Sequence, residues 1–264
     1  MGNLENDASE RLIHAPPIWK QLVFVKLWFG DVLSRVGQQT VQYLLPLAVL
    51  VYLHGSGLQT GIISATQSIA ILVFSLAAGV IADRRPTNTM IVSGVAGRAI
   101  ALALFGVICL TIGPSLTVLI GVAFIVGSAS VFYDVGYQSS IPRLISKSQL
   151  VQGNSLLQST SSAAQMLGPA LAGICVAILG LVGSIGLAVT VFVGAFLVFH
   201  IWMRSSWSTQ QQATTNSNLP TILGGLKFIV RTRPIRDLCI QSGLFNLHEG
   251  AFLTAFMVFG VRTA

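Results

Sequence analysis

Residues 26–50 read KLWFGDVLSRVGQQTVQYLLPLAVL and form the centre of an apolar stretch over about residues 22–52. A helix that crosses a bilayer needs about 20 predominantly apolar residues, and this stretch exceeds that length. Its polar side chains Asp31, Arg35, Gln38 and Gln42 follow one another at offsets of four, three and four, which places them on one face of a helix. The stretch therefore predicts a membrane-spanning helix that carries a polar stripe.

The composition extends this prediction to the whole chain. Of its 264 residues, 53% are apolar and 9% are charged, whereas about 25% of the residues of a soluble domain are charged. So few charges cannot cover a soluble surface, and the composition also excludes disordered and disulfide-scaffold classes. The three cysteines lie in apolar runs without metal-binding spacing. We predict an all-α, polytopic membrane bundle with no metal, no cofactor and no catalytic residue.

Seven stretches are long enough to span a membrane. They cover about residues 22–52, 58–81, 89–112, 116–137, 152–178, 181–203 and 237–260. The long polar segment 204–236 separates the sixth from the seventh. We therefore predict four regions along the chain: an N-terminal segment 1–21, a six-helix half 22–203, a linker 204–236, and a seventh helix within 237–264 that begins a second half.

The positions of Lys and Arg predict the orientation. Eleven of them fall in the N-terminal segment and the loops on its side of the membrane, while the opposite loops 53–57, 112–115 and 179–184 contain none. Because basic residues are enriched on the cytoplasmic side, the N-terminus and the linker 204–236 are predicted to be cytoplasmic; Arg262 is the contrary residue. This topology, together with anionic lipid headgroups, explains the net charge of +7 without a nucleic-acid partner.

Two further spans carry polar stripes. The fourth places Ser130, Asp134 and Tyr137 at helical spacing, and the seventh does the same with Ser242, Asn246 and Glu249. One interpretation is local: Asp31 and Arg35 neutralise each other as an i,i+4 pair. The other is that the first, fourth and seventh spans line a shared aqueous cavity, because charges kept inside a membrane usually have a function. The predicted substrate and proton cavity comprises Asp31, Arg35, Gln38, Gln42, Asn246 and Glu249.

The loop between the second and third spans reads GVIADRRPTNTMI at residues 79–91. It resembles the loop signature of the major facilitator superfamily, although Pro86, Thr87 and Asn88 replace a glycine and two basic residues of that signature. GPALAG at 168–173 is similar to the antiporter motif of the same superfamily. The resemblance implies a cytoplasmic gate and a packed fifth helix. The gate residues would be Gly79, Asp83, Arg84, Arg85 and Asp134, and the motif of the fifth helix Gly168, Pro169 and Gly173.

A narrower likeness covers nearly the whole chain. Residues 26–50, VFYDVGYQSSIPRLI at 131–145 and GLKFIVRTRPIR at 225–236 look like the macrolide- and enterobactin-exporter branch, whose members lie in the bacterial inner membrane. This resemblance implies twelve helices in two halves, with the first, fourth, seventh and tenth around the cavity. It also implies that the sequence is a partial or truncated chain with seven of those helices.

The roles of the acidic residues follow from this resemblance and from their surroundings. Asp83 would serve the gate. Asp134 either forms a latch with Arg84 or Arg85, which we favour slightly, or titrates in the cavity. Glu249 and Asp31 are the candidate proton carriers, and Glu249 is the better one because Arg35 would hold Asp31 ionised.

The predicted function is proton-coupled efflux of a drug-like or siderophore-like small molecule by alternating access. Its partners would be that molecule, protons and the lipid bilayer, and the sequence does not indicate an oligomeric state. A non-transporting bundle, either a fragment or a seven-helix receptor, is the alternative. An intramembrane enzyme is disfavoured, because Tyr133–Asp134 lacks a correctly ordered GxGD partner and His248–Glu249 is followed by Phe252 where a zinc helix needs histidine.

Overall fold

A computed structural model describes residues 20–145, 149–202 and 230–263, apart from some side chains in these ranges, Asp83, Arg84, Asn246 and Glu249 among them. The chain forms α1 Leu22–Tyr52, α2 Gly57–Arg84, α3 Thr87–Thr111, α4 Leu116–Leu144, α5 Leu150–Leu197 and α6 Arg233–Thr263, and a short π-helix, Val198–Trp202, continues α5. The described residues form no strand, and the all-helical fold predicted from the sequence is confirmed.

The breaks between the first four helices contain capping and turn residues. Ser56 accepts a hydrogen bond from the backbone N–H of Gln59, whose side chain bonds the Ser56 backbone in return, so α2 begins with a capping box. Ser115 caps α4 in a similar way. Between α3 and α4, Gly113 has a φ of 91°, which favours glycine. These turns lie where the sequence predicts breaks.

Helix α5 contains two predicted spans and changes direction inside its 48 residues at Gly180, which has φ 67° and ψ −175°. Its first arm, residues 150–179, runs parallel to α1. Trp28, near the start of α1, donates a hydrogen bond to Thr160, and Gln39, further along α1, packs against Gly168.

The second arm of α5, residues 181–197, runs antiparallel to α1. The Phe199 ring, just beyond this arm, packs against Gly30, whereas Phe192 packs against Gly37. A later residue of α5 thus contacts an earlier residue of α1, as antiparallel helices require. The two arms are therefore two antiparallel spans joined at one glycine. The connection predicted at residues 180–186 thus consists of the single non-helical residue Gly180.

Within the part of the chain that the structure describes, four helices are long and apolar enough to cross a membrane: Gly57–Ala82, Thr87–Thr111, Leu116–Pro142 and Leu150–Ile201. The last of these contains both arms of α5. Helix α1 has the length, with 31 residues, but the polar residues of its stripe make it less apolar. Large apolar side chains such as Leu72, Ile112 and Met166 are 78–87% exposed, as the lipid-facing surface of a membrane bundle requires.

The helix ends differ from the predicted boundaries in one place that matters for domain organisation. α6 begins at Arg233, four residues inside the predicted linker 204–236. Pro234 then lies in the first turn, where proline costs no helical hydrogen bond. The segment 1–19 and most of the linker lie outside the described residues, so the four predicted regions remain a prediction.

Candidate functional site

A cavity of about 140 Å³ lies between α1, α2, α4 and α6. The residues that line it are Gln38, Gln42, Tyr43, Pro46, Ser64, Gln67, Ser68, Ile71, Val126, Gly127, Ser130 and Gly250. Because residues four apart share a helix face, α1 contributes Gln38, Gln42 and Pro46 from one stripe. Of the predicted cavity residues, the structure thus places Gln38 and Gln42 at the cavity.

The described side chains of the cavity wall are apolar or polar, and none of them is charged. The hydroxyls of Ser64, Ser68 and Ser130 each donate to a carbonyl of their own helix, which leaves oxygen lone pairs to accept hydrogen bonds. Gln42 and Gln67 each contribute an amide to the wall, which can donate and accept hydrogen bonds. The wall can therefore both donate and accept hydrogen bonds.

Asp31 lies behind this wall and does not line the cavity. It is fully buried, its Oδ2 accepts from Arg35 Nε at 2.9 Å, and its Oδ1 accepts from the Tyr133 hydroxyl at 2.7 Å. Arg35 also lies over the ring of Tyr137, 5.6 Å from its centroid. Asp31 and Arg35 therefore fit the local interpretation, in which they form an i,i+4 pair. Gln38 and Gln42 lie at the cavity instead, as the second interpretation expects.

Arg98 of α3 is a buried cation that the sequence prediction left out. It is 0% exposed, and its guanidinium lies 4.4 Å from the centroid of the Tyr133 ring and 5.1 Å from that of Phe192. Its Nη1 donates to Gln38 Oε1 at 3.2 Å, while its Nη2 has no hydrogen-bond partner among the described residues. A fully buried arginine in a spanning helix requires a nearby counter-charge.

Asp134 is the acid near Arg98. Its carboxylate lies within electrostatic range of Arg98 and Arg35. Asp134 is not among the residues that line the cavity, and its role as a latch or as a titrating group of the cavity stays a prediction.

The predicted gate residues other than Asp134 lie near the junction of α2 and α3. Gly79 has open space around it, α2 ends at Arg84, and the exposed Arg85 donates its backbone N–H to Ile81. The side chains of Asp83 and Arg84 lie outside the described residues. In the fifth-helix motif, Gly168 touches α1, where an added Cβ would come within 2.8 Å of Gln39, whereas Gly173 has open space. Pro169 lies within α5.

The seventh predicted span, α6, reaches the cavity through Gly250. The side chains of Asn246 and Glu249 lie outside the described residues, so their predicted place in the cavity stays a prediction. Gly250 directly follows Glu249 in the sequence.

The sequence prediction missed the contribution of α2 to the cavity. Ser64, Gln67 and Ser68 lie at offsets of three and one, on one face of the helix. Each of the three predicted polar stripes contains an acidic residue, whereas the predicted span of α2 contains no charge, so charge does not mark this neutral stripe. Counting amides and hydroxyls together with charges would have found it.

These features define a polytopic helical membrane protein with a polar cavity between its helices. The sequence profile of the Major Facilitator Superfamily matches residues 27–264, and the chain belongs to this family of secondary transporters. Membership agrees with the predicted superfamily and supports the prediction that the protein is not an enzyme. A comparison with curated protein sequences gave no match.

Proposed function

We propose that the protein exports a drug-like or siderophore-like small molecule from the cytoplasm in exchange for protons. The observation that carries this proposal is the cavity, because its amides and hydroxyls lie between α1, α2, α4 and α6 in a family that transports small molecules. Transporter sites of this kind lie near the bilayer midplane between helices.

The proposed direction of transport, export, and the proposed location, the bacterial inner membrane, both rest on the resemblance to the macrolide- and enterobactin-exporter branch. The segments that carry this likeness, 26–50 and 131–145, include Gln38, Ser130 and Asp134, which form or adjoin the cavity. The segments that resemble the exporter branch therefore include residues at or near the proposed substrate cavity, which supports the proposal of efflux. The N-terminus is cytoplasmic in this proposal.

Proton coupling requires a carboxylate that gains and loses a proton as access to the cavity alternates. Both oxygens of Asp31 are already bonded, one to Arg35 and the other to Tyr133. Glu249 is the proposed carrier because it precedes the cavity residue Gly250. One charge that crosses the membrane is worth about 2.3 kcal/mol per 100 mV, which is enough to drive accumulation against a gradient.

The proposed carrier is tested by Glu249→Gln. In cells that express the protein, this change should raise the accumulation of an exported fluorescent dye to the level of cells without the protein. The matched control is Asp237→Asn, because Asp237 is an exposed acid on the same helix and pairs with Arg236 at its start. The control should retain efflux. Unchanged accumulation in Glu249→Gln would remove Glu249 from the mechanism.

The gate is proposed at the junction of α2 and α3, with Gly79, Asp83, Arg84 and Arg85. For Asp134 we now propose the cavity role, because its charged neighbours Arg98 and Arg35 lie inside the bundle. Asp83→Asn should then impair alternation without changing dye binding, whereas Asp134→Asn should change dye binding.

A further inference from the structure

The cavity residue Gln38 is bonded to a buried arginine of another helix. Gln38 Oε1 accepts a hydrogen bond from Nη1 of Arg98 on α3 at 3.2 Å, and the two residues lie 60 positions apart in the chain. Gln38 lines the cavity, whereas Arg98 is not among the residues that line it. One end of the Gln38 amide is therefore bound inside the bundle, and this contact decides what Gln38 offers to a ligand.

The position of Arg98 is itself fixed by its surroundings. The side chain is fully buried, and its guanidinium carbon lies 4.4 Å from the centroid of the Tyr133 ring and 5.1 Å from that of the Phe192 ring. Its Nε donates to the backbone carbonyl of Gly94, one turn earlier on α3, at 3.3 Å. Because these contacts hold the guanidinium, Nη1 stays directed at Gln38.

The chemistry of the guanidinium decides which end of the amide it binds. Arginine has N–H donors and no acceptor, so the atom of Gln38 that faces Arg98 is the oxygen. The reverse orientation would bring N–H against N–H, and the loss of a hydrogen bond to a charged group disfavours it by about tenfold or more.

The amide nitrogen is then the end of Gln38 that is left for the cavity. This nitrogen carries two N–H donors, so one is available to a ligand even if the other turns to a carboxylate of the bundle such as Asp134. A ligand that meets Gln38 therefore meets a hydrogen-bond donor whose direction is set from outside the cavity.

We propose that Arg98 is a positioning residue that holds the Gln38 amide with its N–H donors towards the cavity. The cavity then selects a ligand that presents a hydrogen-bond acceptor at this point of its wall, such as a carbonyl, an ether or an aromatic nitrogen. The inference rests on the proposed function and deepens it, because it names a chemical group that the cargo carries.

The probes that test this inference are two uncharged coumarin dyes that differ in one ring. One carries a pyridine ring, whose nitrogen only accepts hydrogen bonds at mildly alkaline pH, and the other a pyrrole ring, whose N–H only donates. Fluorescence anisotropy gives the Kd of each dye for the purified full chain in detergent. The parent should bind the pyridine dye about fivefold more tightly, which is the effect of one typical hydrogen bond. Partition of the dyes into detergent is the same for every variant and cancels when variants are compared.

Two variants change the end of residue 38 that faces the cavity. Gln38→Glu keeps an oxygen for Arg98 and replaces the donor nitrogen by an acceptor oxygen, so the preference should reverse in favour of the pyrrole dye. Arg98→Met removes the group that orients the amide, so Gln38 can turn either end to the ligand and the preference should fall by about fivefold, towards one. Arg98→Lys still offers only donors to Gln38 and should keep the parental preference.

A purely structural role of Arg98 is excluded by repeating Arg98→Met in a Gln38→Ala background. Without the amide there is nothing to orient, so this second substitution should leave the ratio of the two Kd values unchanged. An equal effect of Arg98→Met in both backgrounds would overturn the inference. It would also be overturned by a parent that binds the pyridine dye no more tightly than the pyrrole dye, or that binds neither.

Export of the same dyes from cells separates this inference from the proposed function. If the parent and its variants bind the dyes as expected but no dye is exported, the proposed function fails and the role of Arg98 stands. If both dyes are exported and neither Gln38→Glu nor Arg98→Met changes the ratio of their Kd values, the role of Arg98 fails and export stands.

If Arg98→Met does not fold, Gln38→Glu and Arg98→Lys decide the question. The first must reverse the preference between the dyes and the second must leave it unchanged. A parental preference in Gln38→Glu would overturn the inference.

Discussion

The carboxylate of Asp31 depends on a hydroxyl that lies 102 residues away in the chain. The Tyr133 hydroxyl donates to it at 2.7 Å, and both groups are fully buried. Tyr133→Phe removes this donor and keeps the ring that stacks with Tyr137. Because hydrogen bonds to charged groups contribute about 1.5–3 kcal/mol, the free energy of unfolding should fall by about that amount.

This loss can be measured by titrating the purified protein with sodium dodecyl sulfate and following the loss of helical structure. Tyr52→Phe is the matched control, because Tyr52 is 37% exposed and its hydroxyl bonds no described residue. The control should change stability by less than about 0.5 kcal/mol. Equal losses in both variants would contradict the assigned role of Tyr133.

Individual residues were predictable only where the partners lie close together in the sequence. The pair of Asp31 and Arg35 follows from an offset of four on one helix. The partner of Arg98, by contrast, is Gln38, 60 residues away, and no local pattern encodes which helix faces which. A single charge within an apolar span predicts that a partner exists, but only the arrangement of the helices in the bundle identifies it.

At the level of helices, α3 and α4 cross at Gly94. A Cβ at this position would lie 2.7 Å from the carbonyl oxygen of Ala129 and 2.7 Å from the backbone nitrogen of Tyr133. Neither backbone atom can move without separating the helices, so Gly94→Ala should cost at least the 1–3 kcal/mol typical of overpacking. The same unfolding titration measures this cost.

Gly121→Ala on α4 is the control for Gly94, because nothing lies within 4 Å of an added Cβ there. Since alanine favours helix over glycine by about 1 kcal/mol, this variant should be neutral or slightly more stable. A Gly94→Ala protein as stable as the control would show that α3 and α4 are further apart than described.

The joint within α5 gives a second prediction for the helices. Gly180→Ala places a side chain at φ 67° and ψ −175°, a region that is essentially restricted to glycine. The variant should lose about 1–3 kcal/mol of stability. Gly186→Ala, with open space and an ordinary φ on the second arm, should not lose stability. If both variants unfold at the same detergent fraction, the turn does not depend on glycine.

The existence and order of the helices could be predicted because apolar length and turn residues are local properties. Hydropathy located α2, α3 and α4 and the breaks at Ser56 and Ser115. It could not locate helix ends that cross into polar sequence, such as the start of α6 at Arg233, because hydropathy marks the apolar core and not the last turn of a helix. The neutral stripe of α2 was missed because it lacks charge.

For the molecule as a whole, the distribution of Lys and Arg predicts its orientation. Cysteines introduced at Leu58 and Ile112, both highly exposed at loop ends, should react with a membrane-impermeant maleimide in intact cells. A cysteine at Arg85 should react only after permeabilisation, because basic loops stay on the cytoplasmic side. Labelling of position 85 in intact cells would reverse the orientation and, with it, the direction of transport.

The single glycine between the arms of α5 has a mechanical consequence. A connection of one residue has only two soft torsion angles. Tilting one arm of α5 should therefore displace the adjoining end of the other arm directly. The fifth and sixth spans should accordingly move together, with the change of angle between them confined to Gly180. A longer connection would let each span drift separately, and a pull on one would then be absorbed before it reached its neighbour.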